Sequence, residues 1–368
     1  MPRLRVAWVE EWMSTLAAEV LPELAERHDI TYVTAGTAVP EARFIRVIRG
    51  TRWPYMNAAG FELAWRVSTL YRRRQIDVAA VWASIGFALR RVPFVNFEGG
   101  SVYAQIRMAC ARAPITERLR FIPGLVHYAL PERLCNRRAR HIVVPSQALK
   151  ADLVRLHGVP ESKVSVVSHG VSQRHLAIYR KRPTAMPPAV LFVGRLHPMK
   201  GIASIVREFE RRRDIRADLV IVGDGPDRPH IEAVARADRR IKVLGSLNPE
   251  ALEEILLRTN IFVFPTFHEG FGLALLEAMA SGHACVTTDI PVTRELLGEA
   301  GRYVPVGDAA GLIEVVAELV ESPAVVAMMS EAAHRRASGL TWTSAADQID
   351  AVLKRAMTSR SPHRALVG

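Results

Sequence analysis

The chain has 368 residues, of which 49% are hydrophobic and 23% are charged, a composition typical of a folded globular protein and not of a disordered or fibrous one. Its formal net charge of +12 is uneven, because residues 1–180 contain 26 Lys and Arg against 14 Asp and Glu, whereas the remainder is balanced. The three cysteines show no CxxC spacing, which argues against a disulfide framework and favours a reducing compartment.

Short β-branched runs alternate with helical patterns in the first half of the chain. This order predicts parallel βαβ units. We expect helices at residues 13–27, 57–75 and 147–156. The predicted strands are Leu4–Val9, Ile30–Thr34, Val78–Trp82, Val92–Phe97, His141–Pro145 and Lys163–Val167.

A proline-dominated stretch at residues 180–188 interrupts the alternation and predicts a linker. The alternation then resumes, with strands predicted at Val190–Val193, Ala217–Val222, Ile241–Leu244, Ile261–Pro265, Ala284–Thr288 and Arg302–Pro305. We therefore predict an α/β protein of two doubly wound domains facing across a cleft. Their predicted bounds are residues 1–182 and 183–343, and residues 344–368 form a helix returning toward the first domain and a tail.

The most informative stretch places two carboxylates, Glu269 and Glu277, on either side of a glycine-rich turn. A buried strand is predicted before this turn and an amphipathic helix after it. Both carboxylates therefore belong at the carboxyl end of a strand, where open α/β sheets bind ligands. The backbone N–H groups around the start of the helix suit phosphate or sugar oxygens: Gly270, Gly272 and Leu273.

Two other strand ends lead into similar loops. After the strand that ends at Val193, Gly194 precedes Arg195 and Lys200, two cations that suit a single diphosphate. The strand that ends at Val222 leads into Gly-Asp-Gly, which predicts a turn in which Asp224 caps the loop or a helix.

The residues alone leave other interpretations open. Paired carboxylates also serve glycoside hydrolases, and two glutamates can simply be solvated. A basic first half also suits a module that binds a membrane surface or a nucleic acid, or it is a solvated surface. Residues 105–141 are rich in arginine and suggest an interfacial helix, although we expect prolines to interrupt it: Pro114, Pro123 and Pro131.

Three motifs in order resemble glycosyltransferase family 4: the Gly-Arg-Leu-His-Pro-Met-Lys-Gly loop, the Val-Gly-Asp-Gly-Pro turn and the Glu-Gly-Phe-Gly-Leu segment followed by Glu277. The likeness extends over residues 141–310 and includes Val143–Ser146 and Val166–Val171. It implies the GT-B fold, with two Rossmann-like domains. It also implies retaining, metal-independent transfer of a hexose from a nucleotide-diphosphate sugar, with UDP or GDP expected, to an acceptor in polysaccharide, glycolipid or natural-product glycoside synthesis. The chain has no Asp-x-Asp motif for a metal, and no separate cofactor is implied.

The resemblance also implies roles for matching positions. Arg195 and Lys200 would neutralise the donor diphosphate, Glu269 would lie by the donor sugar, and Glu277 would bind the ribose hydroxyls. The residues predicted as catalytic are Glu269, Arg195, Lys200 and, in the first domain, Glu98. Leu244 and Leu247 would flank the base. The other predicted donor contacts are Gly194, Gly223, Gly270, Phe271, Gly272 and Leu273.

The first domain departs from the family pattern. The loop after its first strand has Glu10, Glu11 and Trp12 in place of a glycine pair, and Trp12 either stacks on a sugar or packs under the loop. Asn96 or Glu98 stands where many relatives have a histidine, and His169 is a candidate contact beside the linker. These departures keep two alternatives open: a sugar-nucleotide-binding protein without transfer activity, and a sugar-nucleotide epimerase.

The expected location follows from what the sequence lacks. It shows no signal peptide and no apolar run of the ~20 residues that a spanning helix needs. We predict a cytoplasmic protein, with peripheral contact between the basic half and the inner membrane face as an open alternative. The expected partners are a nucleotide-sugar donor and an acceptor, and no nucleic acid.

Overall fold

The structure is a computed structural model that describes residues 3–11, 13–39, 45–50, 56–112, 117–119, 122–183 and 186–358. The chain forms two compact units. The first unit combines Met1–Gly170 with Trp342–Gly368, and the second unit is Val171–Thr341. Within the described residues, no helix combines the length and the apolar content that crossing a bilayer requires.

The described part of the first unit contains a parallel sheet with strand order β3-β2-β1-β4-β5-β6-β7. The strand order reverses between β1 and β4, as in a doubly wound sheet. Buried β-branched and small residues make the central strands apolar on both faces. The strands are β1 (Arg5–Glu10), β2 (Asp29–Thr34), β3 (Ile45–Arg49), β4 (Val78–Trp82), β5 (Phe94–Phe97), β6 (His141–Val144) and β7 (Val164–Val166).

The second unit has its own parallel sheet, with strand order β10-β9-β8-β11-β12-β13. Here the order reverses between β8 and β11, so the loops after these two strands flank the crevice where such sheets bind ligands. The strands are β8 (Ala189–Val193), β9 (Asp218–Val222), β10 (Ile241–Gly245), β11 (Ile261–Phe264), β12 (Ala284–Thr288) and β13 (Gly301–Val304).

Helices cover both sheets and bury their apolar faces in the cores of the two units. They are α1 (Thr15–Arg27), α2 (Met56–Arg72), α3 (Val102–Arg112), α4 (Ile122–Gly124), α5 (Leu130–Arg138), α6 (Gln147–Asp152), α7 (Gln173–Lys181), α8 (Ile202–Arg211), α9 (Arg228–Ala235), α10 (Pro249–Arg258), α11 (Leu273–Ala280), α12 (Pro291–Leu297), α13 (Ala309–Val320), α14 (Pro323–Ser338) and α15 (Trp342–Thr358).

Strand β3 was not predicted from the sequence. It pairs with β2 at the edge of the sheet, and its arginines and Val47 are exposed. An edge strand needs little apolar sequence, so Ile-Arg-Val-Ile-Arg lacks the buried run by which the other strands were recognised.

The arginine-rich segment corrects one expectation. Residues 122–138 form one continuous helical run, because a π-helical turn at Leu125–Ala129 joins α4 to α5. Pro123 lies in the first turn, where a missing N–H costs little. The π-helical turn just before Pro131 is wider than an α-helical turn, so it leaves room for the proline ring and needs no N–H donor from Pro131 in an α-helical hydrogen bond. The prediction that Pro131 interrupts the helix is therefore wrong, whereas Pro123 stands at the start of the run, and Pro114 lies outside the described residues.

The last helix belongs to the first unit. Arg27 of α1 donates to Asp347 of α15 over 2.5 Å, and the His28 ring lies 2.9 Å from the Asp350 carboxylate. In the second unit, the guanidinium of Arg182 donates to the carbonyls of Ser281 and Gly282, so the chain just after α7 is tied to that unit. The functional division predicted at residues 182/183 stays a prediction.

Candidate functional site

Three glycine-containing loops pack backbone against backbone at the carboxyl edge of the second sheet. The Gly194 N–H donates to the Val222 carbonyl over 3.0 Å, and the Gly223 N–H donates to the Gly245 carbonyl over 2.8 Å. A Cβ on Gly223 would lie 1.9 Å from the Gly194 oxygen. The loops after β8 and β9 therefore approach closely only because these positions lack side chains. Asp224 accepts from the Gly225 N–H over 2.7 Å, so it caps the loop and not a helix.

The loop after β8 also contacts the loop after β11. The Phe267 N–H donates to the Met199 carbonyl over 2.9 Å, and a Cβ on Gly201 would lie 2.2 Å from the Pro265 oxygen. Gly201 has φ of +70° and directly precedes α8, so it sets the direction of the chain after Lys200. Gly201 is not among the site residues predicted from the sequence, although a glycine directly after a cation in a strand-to-helix loop was the available signal.

Lys200 and Glu269 meet across the β8/β11 crevice. The Lys200 ammonium forms an ion pair with the Glu269 carboxylate, and its nitrogen lies 5.7 Å from the centre of the Phe264 ring. Both side chains are partly buried, which weakens solvent screening of their charges. Two of the predicted site residues are thus brought together from positions far apart in the sequence.

Arg195 and Glu277 follow the two strands that flank the crevice, Arg195 after β8 and Glu277 after β11. Arg195 is exposed one residue after Gly194 and forms no ion pair with any described residue. Gly272 has φ of +96° and starts α11, so the N–H groups of the first turn follow the Glu269 loop. Glu277 lies partly buried in the second turn of that helix.

Leu244 and Leu247, which are predicted to flank the base, lie at the end of β10 and in the loop that follows it. Leu244 is 39% exposed near the end of β10, and Leu247 packs against the core beneath the loop. Strand β10 is two strands from β8, roughly 10 Å at the usual strand spacing. That separation suits the two ends of a nucleoside diphosphate.

In the first unit, Glu98 follows β5 but lies in a buried polar network. It is only 3% exposed and accepts from the Asn96 amide over 2.9 Å, and the same amide donates to Asn136 over 2.7 Å. Burial, then the nearby Glu132 carboxylate, raise the pKa of Glu98 well above its ordinary value. The catalytic role of Glu98 stays a prediction.

Glu98 provides a test based on pH. Because the folded chain holds the Glu98 proton when the unfolded chain has lost it, stability falls as pH rises from about 4 through the folded pKa. Glu98→Gln should remove that contribution. The unfolding free energy of the wild type should fall relative to that of the variant as the pH is raised from 5 to 8 in urea titrations. Glu26→Gln, at an exposed site, is the control. An identical pH dependence in wild type and Glu98→Gln would contradict the buried-proton assignment.

Glu10 has a structural role in the loop after β1. Its carboxylate is buried and accepts from Tyr32 over 2.8 Å and from the Ser14 hydroxyl over 2.8 Å. Ser14 is in turn the N-cap of α1. Burial raises the pKa of both Glu10 and the partly buried Glu11. Trp12 lies outside the described residues.

His169 lies in the first unit beside α15. It is buried, with its ring centre 5.6 Å from that of Trp342. Burial lowers the pKa of His169 to about 4, so the ring is neutral near pH 7.

Comparison with known families agrees with this arrangement of loops. Residues 13–174 match the family described as Glycosyltransferase Family 4, and residues 187–322 match Glycosyl transferases group 1. The chain thus resembles glycosyltransferase family 4 in both units. The resemblance seen in the motifs is thereby confirmed, and it extends into the first unit.

Among curated relatives of this chain, glycogen synthase from Mycobacterium tuberculosis is 28% identical over 218 residues. The match covers 57% of this chain and 53% of the relative, so the chain spans about half the length of that protein. Such a likeness supports the family and leaves the reaction of this chain to be inferred.

Two solved structures match this chain over nearly its whole length. Sucrose-phosphate synthase from Thermosynechococcus elongatus has a TM-score of 0.76 at 18% identity, with 96% of this chain and 99% of that chain covered. HepE from Anabaena in complex with UDP-glucose has a TM-score of 0.73 at 16% identity, with 96% and 100% covered. At these identities the likeness shows the fold, and it confirms the predicted GT-B architecture of two Rossmann-like units.

Proposed function

We propose that the chain is a retaining glycosyltransferase that transfers a hexose from a nucleotide-diphosphate sugar to an acceptor hydroxyl. The observation that carries this proposal is the β8/β11 crevice, where Lys200 meets Glu269 while Arg195 and the start of α11 flank them. Two cations and free helix N–H groups at a sheet's switch point suit a diphosphate. In this proposal the second unit binds the donor and the first unit binds the acceptor.

Each residue supplies a distinct part of the chemistry. Arg195 and Lys200 neutralise the charge that grows on the diphosphate as it leaves, which is a stabilisation of the transition state. Glu269 lies beside them and holds the Lys200 ammonium in place until phosphate arrives. Glu277 accepts hydrogen bonds from the ribose, and the base lies near Leu244 and Leu247. The two side-chain cations supply the charge that a metal would otherwise provide, so transfer should persist in EDTA.

The bond changes are simple. The bond between the anomeric carbon and the phosphate oxygen breaks, and its electron pair stays on the diphosphate. The acceptor oxygen then bonds to the anomeric carbon on the same face, and its proton passes to the departing phosphate oxygen. This route retains configuration and needs no separate base.

A thermal-shift screen with UDP, GDP, ADP and dTDP tests donor binding. A nucleotide at 100 times its Kd should stabilise the protein by about 2.7 kcal/mol. UDP-glucose is a rational first donor, since HepE, a structural neighbour, was crystallised with it. Failure of all four nucleotides to shift the transition would contradict the proposed donor site. If a nucleotide sugar binds but no product is released from it, the chain is instead a sugar-nucleotide-binding protein without transfer activity.

The two acidic residues should behave differently when they are replaced. Glu269→Gln is expected to lower kcat with a small change in nucleotide Kd, since Glu269 lies by the transferred sugar and the cation. Glu277→Ala should raise the Kd of UDP by about 10-fold through lost ribose hydrogen bonds to a charged group. Steady-state kinetics and calorimetric titration separate the two effects. The same change in both variants would contradict this division of roles.

A further inference from the structure

The first unit carries an open groove of about 690 Å³ with aromatic walls and a basic rim. Phe61 and Trp65 of α2 and Phe87, just before β5, provide the aromatic surface. Arg72, Arg90, Arg91 and Arg138 provide the rim. We name this feature the arginine-rimmed groove.

The groove lies away from the edge where the sheet of the first unit would bind a ligand. Arg90 and Arg91 come shortly before β5, and Arg138 ends α5 shortly before β6. These residues are therefore near the amino-terminal ends of the strands. Doubly wound sheets bind their ligands at the opposite, carboxyl edge. The groove is a separate feature of the first unit.

The charge of the groove is unbalanced. None of the described residues that line it is acidic. Arg90 and Arg91 are exposed and form no ion pair within the described part of the chain. Together with Arg138 and Arg140 they also line an adjoining cavity of about 410 Å³. Clustered cations without counter-charges create a positive potential that attracts an anionic partner.

The groove also exposes an unusual amount of apolar surface. Phe61 is 57% and Trp65 62% exposed, and Phe61 stacks edge-on against Phe87 at 5.0 Å. Contiguous exposed apolar surface with a polar rim marks an interaction site. Trp, with an apolar ring and a polar N–H, is enriched where one side of a contact is apolar and the other is wet.

The continuous helical run of residues 122–138 extends this surface. Ile122, Val126 and Leu130 are spaced four residues apart and are 50%, 62% and 51% exposed. Leu134 and Arg138 continue the same spacing and line the groove. The run therefore carries an exposed apolar stripe up to the arginine rim, a pattern typical of an interfacial helix.

We propose that this surface docks the protein on an anionic phospholipid bilayer. The arginines of the groove bind lipid phosphates, while Trp65, Phe61 and the apolar stripe enter the interfacial layer. A second copy is disfavoured because self-association would bring the same cations together. A nucleic acid would use the arginines but would leave Ile122, Val126 and Leu130 without a partner. The proposal does not depend on the proposed donor site.

Vesicle co-sedimentation of the full chain tests the proposal. Vesicles of phosphatidylcholine alone and of phosphatidylcholine mixed with phosphatidylglycerol are compared over a range of salt. We expect binding to the mixed vesicles that weakens with salt. Charge reversal of Arg90→Glu with Arg91→Glu should lower the partition coefficient at least about 10-fold. The matched control, Arg46→Glu with Arg49→Glu on the edge strand β3, makes the same charge change and should lower it less than about 3-fold.

A second variant separates the apolar contribution. Trp65→Ala should lower binding about 5-fold without changing its salt dependence, because it removes interfacial contact and no charge. Circular dichroism and thermal unfolding check that the variants are folded. Equal binding to neutral vesicles, or equal losses in both charge-reversed variants, would overturn the proposal. The proposal would also be overturned if the chain self-associates through this surface and Trp65→Ala abolishes that association. It would likewise be overturned if the chain binds RNA and does not bind vesicles.

Discussion

Lys200→Ala is expected to lower kcat/KM by about 100- to 1000-fold, the usual effect of removing one preorganised charge from a developing anion. The loss has two origins. The diphosphate loses a cation that the loop after β8 holds beside the crevice, and the Glu269 carboxylate keeps its negative charge without its partner. Steady-state kinetics with the donor identified by the thermal-shift screen measures the effect.

Lys242→Ala is the matched control for this variant. Lys242 is also a lysine of the second unit, but it is exposed and pairs with Asp218 over 2.5 Å between neighbouring strands. An exposed ion pair of this kind contributes little, so this variant should keep near wild-type activity. Native kcat/KM in Lys200→Ala would remove Lys200 from the site. Adding Glu269→Ala to Lys200→Ala should restore part of the nucleotide affinity, because the double variant lacks the unpaired carboxylate.

Gly223→Ala is expected to destabilise the second unit by about 3 kcal/mol and to weaken nucleotide binding at least about 10-fold. The new Cβ would lie 1.9 Å from the Gly194 carbonyl oxygen, and Gly223 has φ of +137°, a conformation that L side chains rarely adopt. The position of a Cβ is fixed by its own backbone, and the atom it would meet is a backbone oxygen, so no rotamer change relieves the contact. The loop that carries Arg195 must therefore move.

Gly60→Ala is the control for glycine replacement. Gly60 lies inside α2, and a Cβ there would meet nothing within 4 Å. Alanine in a helix interior should stabilise the chain by about 0.5–1 kcal/mol. Thermal unfolding and calorimetric titration of both variants measure the contrast. Unchanged stability and affinity in Gly223→Ala would contradict the close packing of the loops after β8 and β9.

The second unit was well predicted because its signals are local. The buried strands β8, β9, β11 and β12 are short apolar runs, and glycines mark the turns where loops meet the sheet edge. Parallel strands place their carboxyl ends at one edge, so the sequence order alone indicated that the loops of Arg195, Lys200 and Glu269 would approach one another. The Lys200–Glu269 ion pair itself joins residues 69 positions apart and is visible only in the structure.

The first unit was predicted less well because its decisive contacts are not local. Glu98 looked like an accessible loop carboxylate, yet Asn136 and Glu132, which help to define its environment, come from a helix about 40 residues away. Glu10, predicted to lie in a loop in place of a glycine, ends β1 and accepts hydrogen bonds from Tyr32 and Ser14. The helical run of residues 122–138 depends on a π-helical turn that no propensity rule indicates.

A crystal structure of the chain with a bound nucleoside diphosphate would test the central claim most directly. The account predicts that the diphosphate lies within hydrogen-bonding distance of Arg195 and Lys200, with the ribose at Glu277 and the base over the end of β10. A nucleotide bound to the first unit, or one in the second unit that contacts neither cation, would contradict it.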